Sequence, residues 1–324
     1  MILPELGMGC APLGELFTKV SEAASLDTFQ TAYDAGIRLF DTAPWYGTGR
    51  SELRVGTGLR DLDDVQVLTK VGRVLKRGAN LDAARWWKGG LPYEVHFDYS
   101  RDGVLRSFED SLQRLGRAKV AGLAIHDLDL VYHHTWPEVE RRFAELENGG
   151  FAALEELRRA GDTLWIGAGI NRPGLIPEFL KRFTLDYFIV AMPYTLLNQE
   201  GLSELDECRR RGVRVIIGAP FASGLLAKGS KRPATYDYAP AQAAMVEKAA
   251  RLEAVCERHG VDLPAAALQF VLAHPAVLSV IPGFLNGEEA RSAVGFLQQK
   301  IPFVFWEDLR AQGLIDASAP VPAS

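Results

Sequence analysis

Eight short apolar runs alternate along this chain with segments whose apolar residues recur at helical spacing. The runs are residues 6–11, 37–43, 65–71, 120–125, 163–170, 187–192, 213–219 and 277–281. They are apolar, rich in β-branched residues and short, so they read as buried strands. The helical spacing predicts helices over 21–35, 51–60, 101–115, 173–182, 202–211, 240–259, 264–273 and 287–297, with a long one ending near 160 and a last one at 303–314. Strands that alternate with helices in this way form a parallel sheet covered by helices. Eight such units in 324 residues predict a (β/α)8 TIM barrel, α/β in class, as a single domain over 1–324. An open doubly wound sheet is the alternative, but no G-x-G-x-x-G turn follows the first strand. Long insertions at 72–99 and 127–137 follow strands 3 and 4, on the face where barrel loops build a pocket. Residues 316–324 read as a frayed tail.

Composition narrows the partners. Hydrophobic content of 48% with 24% charged residues is that of an ordinary globular protein. A net charge of -5 with no basic run argues against nucleic acid. No run has the apolar length of a membrane helix, and the first residues lack the basic and apolar regions of a signal peptide. Cys10, Cys208 and Cys256 are too scattered for a disulfide framework or a zinc site. The expectation is a cytoplasmic protein acting on a small molecule, with no membrane partner, no metal and its oligomeric state open.

Polar residues at strand ends supply the chemistry. Asp41 closes the second strand, Lys70 the third and His126 the fourth, while Tyr46 follows in the loop 42–50. Ser51 reads as the N-cap of the next helix. Taken singly, each has a plain structural explanation as a strand cap, a packed ring or a solvated charge. A barrel brings neighbouring strand ends together, so the four can converge. A free tyrosine has a pKa near ~10, and lowering it by two to three units takes about 3–4 kcal/mol. An ammonium about 4 Å away supplies roughly that at an effective dielectric near 20. A partly buried lysine needs a carboxylate to stay charged, and Asp41 is the candidate. His126 would orient a substrate oxygen.

Asp41-Thr42-Ala43 with Tyr46-Gly47 and Ser51-Glu52, then Lys70 and His126, resembles the catalytic tetrad of the aldo-keto reductase family over nearly the whole chain. The resemblance implies a barrel that binds a nicotinamide cofactor without a Rossmann domain, with the tyrosine as acid/base. It implies that Asn171 binds the carboxamide and that Pro220, Phe221, Ser223, Gly224 and Leu225 cover the pyrophosphate. Gly218 stands where an aromatic residue often stacks on the nicotinamide. Gly283 and Glu289 stand where NADPH-preferring relatives place Lys and Arg, which implies NAD as the preferred cofactor, with NADP the alternative if Arg291 serves instead.

The stretch 89–115 is similar to the branch containing D-threo-aldose 1-dehydrogenase, L-fucose dehydrogenase and pyridoxal 4-dehydrogenase. That implies oxidation of an aldose hemiacetal to a lactone, or of pyridoxal in the same way, with Tyr46 as general base. Trp45, Trp86, Trp87 and Tyr93 would line the pocket, against the alternative that Trp86 and Trp87 only pack the insertion. Other readings are an NADPH-dependent aldehyde reductase and a nucleotide-sensing barrel like a channel subunit. A metal-dependent hydrolase using His126, Asp127, Asp129, His133 and His134 is disfavoured, because one loop holds all five.

Overall fold

The computed structural model describes residues 1–78, 87–231, 235–237 and 239–323. Its eight barrel strands are β1 Met8–Gly9, β2 Leu39–Asp41, β3 Gln66–Val71, β4 Val120–His126, β5 Thr163–Ile170, β6 Tyr187–Ala191, β7 Arg214–Gly218 and β8 Val277–Ile281. All neighbouring pairs are parallel, in chain order. The sheet closes on itself: Gly7 and Gly9 donate to Val280 and Pro282, and Val280 donates back to Glu5, at 2.8–2.9 Å. This is the (β/α)8 barrel expected from the sequence.

Strand alternation decides what enters the barrel. Leu39, Leu68, Ala124, Tyr187, Ile189, Ile216 and Ile281 fill its interior above Leu3. Tyr187 fits because its neighbours are glycine: a Cβ on Gly167 would stand 2.6 Å from its ring. Two residues beyond Leu39, Leu68 and Ala124 come Asp41, Lys70 and His126. The same pleat therefore aims these polar groups inward, one step above the apolar core.

Four details differ from the sequence expectation. Ser51 is not an N-cap; the helix Arg50–Gly58 starts from Gly49, whose φ of 100° suits glycine. Ser51 is buried instead, donating to the Cys10 carbonyl at 2.9 Å and meeting the Thr42 hydroxyl at 2.9 Å. The insertion after β3 contains an antiparallel hairpin, Arg73–Arg77 with Tyr93–Phe97. The long helix ending near 160 is two helices, Trp136–Glu145 and Phe151–Ala160, broken at Gly149 with φ 136°. The break lets Gly150 back onto the Tyr99 carbonyl, where any Cβ would lie 1.9 Å away. The tail is docked rather than frayed: Ala319 is fully buried and its carbonyl accepts from Arg310 at 2.7 Å.

Candidate active site

Asp41, Lys70 and His126 meet at the carboxyl end of the barrel, each at most 3% exposed. The Lys70 ammonium donates to both Asp41 oxygens, at 2.9 and 2.7 Å, and to the Thr42 carbonyl at 2.8 Å. Its three hydrogens are thereby directed, and the nitrogen lies 4.5 Å from the centre of the Tyr46 ring. Burial holds the Asp41 carboxyl above its ordinary pKa, and the Lys70 ammonium offsets only part of that rise. Tyr46 stands edge-on to His126, with centroids 5.8 Å apart, and tilted against Trp87, also at 5.8 Å. It is half-buried among buried neighbours. Of the four residues, Tyr46 is the one that is not buried.

His126 is held toward the uncharged imidazole. Burial lowers its pKa well below the ordinary value, and the Arg73 and Lys70 charges lower it further. Its Nε2 lies 3.2 Å from Asp127 Oδ2, and its Nδ1 has no hydrogen-bond partner among the described residues. Tyr99 donates to the His126 carbonyl at 2.7 Å and meets His133 Nε2 at 3.2 Å.

Trp45 and Trp87 are buried and meet edge-to-face at 5.6 Å. Tyr93 stands 38% exposed at the far end of the hairpin, opposite Arg77. Trp86 lies outside the described residues. Arg73, Asp127 and Asp129 are site residues that sequence reasoning had not assigned to this chemistry. Arg73 is buried against Trp45, Phe97 and Tyr132, its guanidinium carbon 4.6, 4.6 and 4.3 Å from their ring centres. Burial alone would lower its pKa, but Asp127, Tyr132 and Tyr99 outweigh that and hold it above the ordinary value. Nothing in the run Lys70-Val71-Gly72-Arg73 marks that arginine as buried. Asp127 and Asp129 did carry a signal, as an acidic pair directly after His126.

The residues expected to hold a cofactor share the same rim. Asn171 follows β5 and donates its side-chain amide to Asp127 and to Asp129, each at 2.8 Å, leaving its carbonyl oxygen for a ligand. After β7, Ala219, Ala222, Ser223 and Gly224 have φ of 51, 48, 57 and 102°. The turn closes on itself: the N–H groups of Ala222, Gly224 and Leu225 donate to the Ala219, Phe221 and Ala222 carbonyls at 2.9, 2.9 and 3.4 Å. Pro220 and Leu225 are buried beneath it and Phe221 is half-buried. The Asn171 amide oxygen fits the carboxamide of a nicotinamide. Gly283 pairs with Gly9 across the barrel seam, and a Cβ there would come 2.6 Å from Pro12. Any side chain at that position would require Pro12 to shift. Glu289 also supports the local backbone. Its carboxylate accepts from the Leu285 N–H at 2.8 Å, while its own N–H donates to Asn286 at 3.0 Å. Asn286 is the N-cap of the helix Gly287–Gln298, and Glu289 ties the residue before it to the first turn.

The family model for the aldo/keto reductase family matches residues 5–311. The chain belongs to the aldo/keto reductase family. Members of this family are oxidoreductases that use NAD(P), and this aldo/keto reductase is 40% identical to pyridoxal 4-dehydrogenase of Microbacterium luteolum, over 96% of this chain and 94% of that protein. It is 32% identical to D-threo-aldose 1-dehydrogenase of a Pseudomonas species, over 97% of this chain and 95% of that protein. Its fold matches that of an aldo-keto reductase from Bacillus halodurans in the holo form, with a TM-score of 0.74 at 24% identity, covering 98% and 94% of the two chains. Among the described residues no helix is long and apolar enough to cross a membrane.

The buried histidines predict a pH dependence of stability. Burial, then the Arg142 and Arg73 charges, lower the His133 pKa to about 4, and His126 is lowered as well. Both would titrate near ~6.5 in the unfolded chain. Below that pH the unfolded state binds the extra protons, so stability falls as pH drops from about 6.5 toward about 4. The thermal midpoint should decline across that window, and His133→Gln should show a shallower decline. Equal slopes for parent and variant would remove His133 from the effect.

Proposed function

We propose that this aldo/keto reductase oxidises the hemiacetal carbon of a cyclic substrate to a lactone, with NAD as cofactor. What carries the reading is the Lys70 ammonium, held by Asp41 and Thr42 and set against the Tyr46 ring. A bound nicotinamide supplies the hydride acceptor. Tyr46, as phenolate, takes the proton of the anomeric hydroxyl. Lys70 lowers the cost of that phenolate, and Asp41 keeps Lys70 charged and aimed. His126, uncharged, holds the reacting oxygen by a hydrogen bond. Trp45 and Trp87 exclude water and stack against an apolar ring face. Asn171 would hold the carboxamide through its carbonyl oxygen, and the 219–225 turn the pyrophosphate. The same reading places the enzyme in the cytoplasm.

Pyridoxal, in its hemiacetal form, is the first substrate to test, because 40% identity over 96% of the chain links this protein to a pyridoxal 4-dehydrogenase. An aldose such as L-fucose is the second reading, favoured by the 32% identity to an aldose 1-dehydrogenase. NADH formation at 340 nm with pyridoxal and with L-fucose, D-arabinose and L-galactose decides between them. No turnover on any of the four would sink the hemiacetal reading.

The NAD preference rests on Glu289 and on Gly283. A carboxylate at the adenosine end repels a 2′-phosphate and accepts from a free 2′-hydroxyl. Glu289→Arg should shift the ratio of kcat/KM for NAD over NADP by about tenfold or more toward NADP, the equivalent of roughly 1.4 kcal/mol. It should also cost about 1 kcal/mol of stability through the lost hydrogen bond from the Leu285 N–H. An unchanged ratio would assign Glu289 to that hydrogen bond alone.

A further inference from the structure

Asp127 follows His126 at the end of β4 with φ of 50°, a left-handed conformation that side chains other than glycine seldom adopt. That turn aims its carboxylate back into the site. Oδ1 accepts from Asn171 at 2.8 Å, and Oδ2 accepts from Arg73 while lying 3.2 Å from His126 Nε2. A carboxylate this near an imidazole ordinarily draws a proton onto the ring. Here the same oxygen is already claimed by a buried guanidinium.

We infer that Arg73 is a positioning residue: by claiming Asp127 it keeps His126 an uncharged imidazole while the site works. The charges that face His126 sort into pairs. Asp41 on β2 is answered by Lys70 on β3. Asp127 is answered by Arg73, at the start of the hairpin after β3. Tyr46 approaches from the loop after β2, and Tyr99 and His133 lie behind the His126 carbonyl. Asp129 sits across Asn171 and is pushed toward its neutral form, by burial first and then by the charge on Asp127. Removing Arg73 therefore leaves one carboxylate unanswered, and it is the one beside the imidazole.

The uncharged state matters for direction. When a hemiacetal is oxidised, the reacting oxygen passes from alkoxide to carbonyl and loses negative charge as hydride departs. An imidazolium beside it stabilises the alkoxide more than the transition state and slows that departure. A neutral ring still donates one hydrogen bond and does not hold the charge back. This part rests on the proposed hemiacetal oxidation; the charge state of His126 does not.

The experiment is NMR of the full-length protein with isotope-labelled histidine, without substrate, the His126 signals being assigned with His126→Gln. In the parent and in Arg73→Lys the ring should not titrate between pH 5.5 and 8.5. In Arg73→Met it should titrate within that window, above the ordinary histidine value, and Arg73→Met/Asp127→Asn should be flat again. Arg73→Gln replaces Arg73→Met if the latter does not fold. A parent ring that titrates near its ordinary value, or an Arg73→Met ring that stays flat, overturns the inference. The pH profile of kcat/KM with pyridoxal and NAD is the second readout: Arg73→Met should gain an acid limb falling tenfold per pH unit below the NMR midpoint. Lower activity with an unchanged profile marks Arg73 as structural only and overturns the inference. If no hemiacetal is turned over, the proposed reaction fails while the NMR comparison still decides the role of Arg73.

Discussion

Tyr46→Phe is expected to lower kcat for hemiacetal oxidation by roughly 10² to 10⁴-fold, the usual contribution of a positioned acid/base group. The substitution removes the phenol oxygen and keeps the ring. Contacts of that ring with Trp87, His126 and the Lys70 ammonium remain available, so fold and cofactor affinity should be preserved. Single-turnover rates, read beside a cofactor titration followed by fluorescence, separate the two effects. A variant that turns over near the parent rate would take Tyr46 out of the chemistry. One that loses cofactor binding in equal measure would make it a binding residue. The other groups nearby are poor proton acceptors: Lys70 has its hydrogens committed to Asp41 and Thr42, and burial pushes the His126 imidazole well below its ordinary pKa, which makes it a weak base.

Lys70→Met should have the largest effect on stability. Asp41 is 2% exposed and loses the ammonium that contacts both of its oxygens. Breaking a buried pair by removing one partner costs about 3–5 kcal/mol, because the other charge is left uncompensated. The Thr42 carbonyl also loses a donor. Lys70→Met/Asp41→Asn should recover most of that stability, since no buried charge remains. Urea unfolding of the parent, the single variant and the double variant measures this directly. Turnover should stay low in both variants, because the phenolate proposed at Tyr46 would have lost its cation. A double variant no more stable than the single one would show that the loss came from packing around the lysine stem and not from the stranded carboxylate.

Much of the barrel is legible in the chain because its strands are short, apolar and separated by helix-period segments. Strand β5, strand β8 and the helices Arg101–Leu115 and Leu202–Arg211 have the same limits in the structure as in the sequence reading. Position at a strand end located Asp41, Lys70 and His126, since the pleat leaves them no direction but inward. Where the reading went astray, distant contacts outweighed local rules. Ser51 has the identity of an N-cap, yet its hydroxyl is used by Cys10, 41 residues away. The run ending near 160 has one helical period, yet Gly150 must back onto Tyr99. The tail after 316 has the composition of a frayed end, yet Arg310 ties it down. Glu289 reads locally as a charge for a ribose, while the fold shows its carboxylate also accepting from the Leu285 N–H.

Alternation of apolar runs with helical ones was enough to determine the architecture, the face on which chemistry collects, and the four polar groups that line it. Periodicity acts on near neighbours, and near neighbours are what a sequence displays. Only the tertiary structure decided the charge balance around His126. Arg73 and Asp127 are 54 residues apart, and their pairing is visible only once the hairpin after β3 folds against β4. No local pattern distinguishes a buried guanidinium from a solvated one. The difference is made by Trp45, Phe97 and Tyr132, which close over Arg73 from three separate segments and leave Asp127 as its counter-charge.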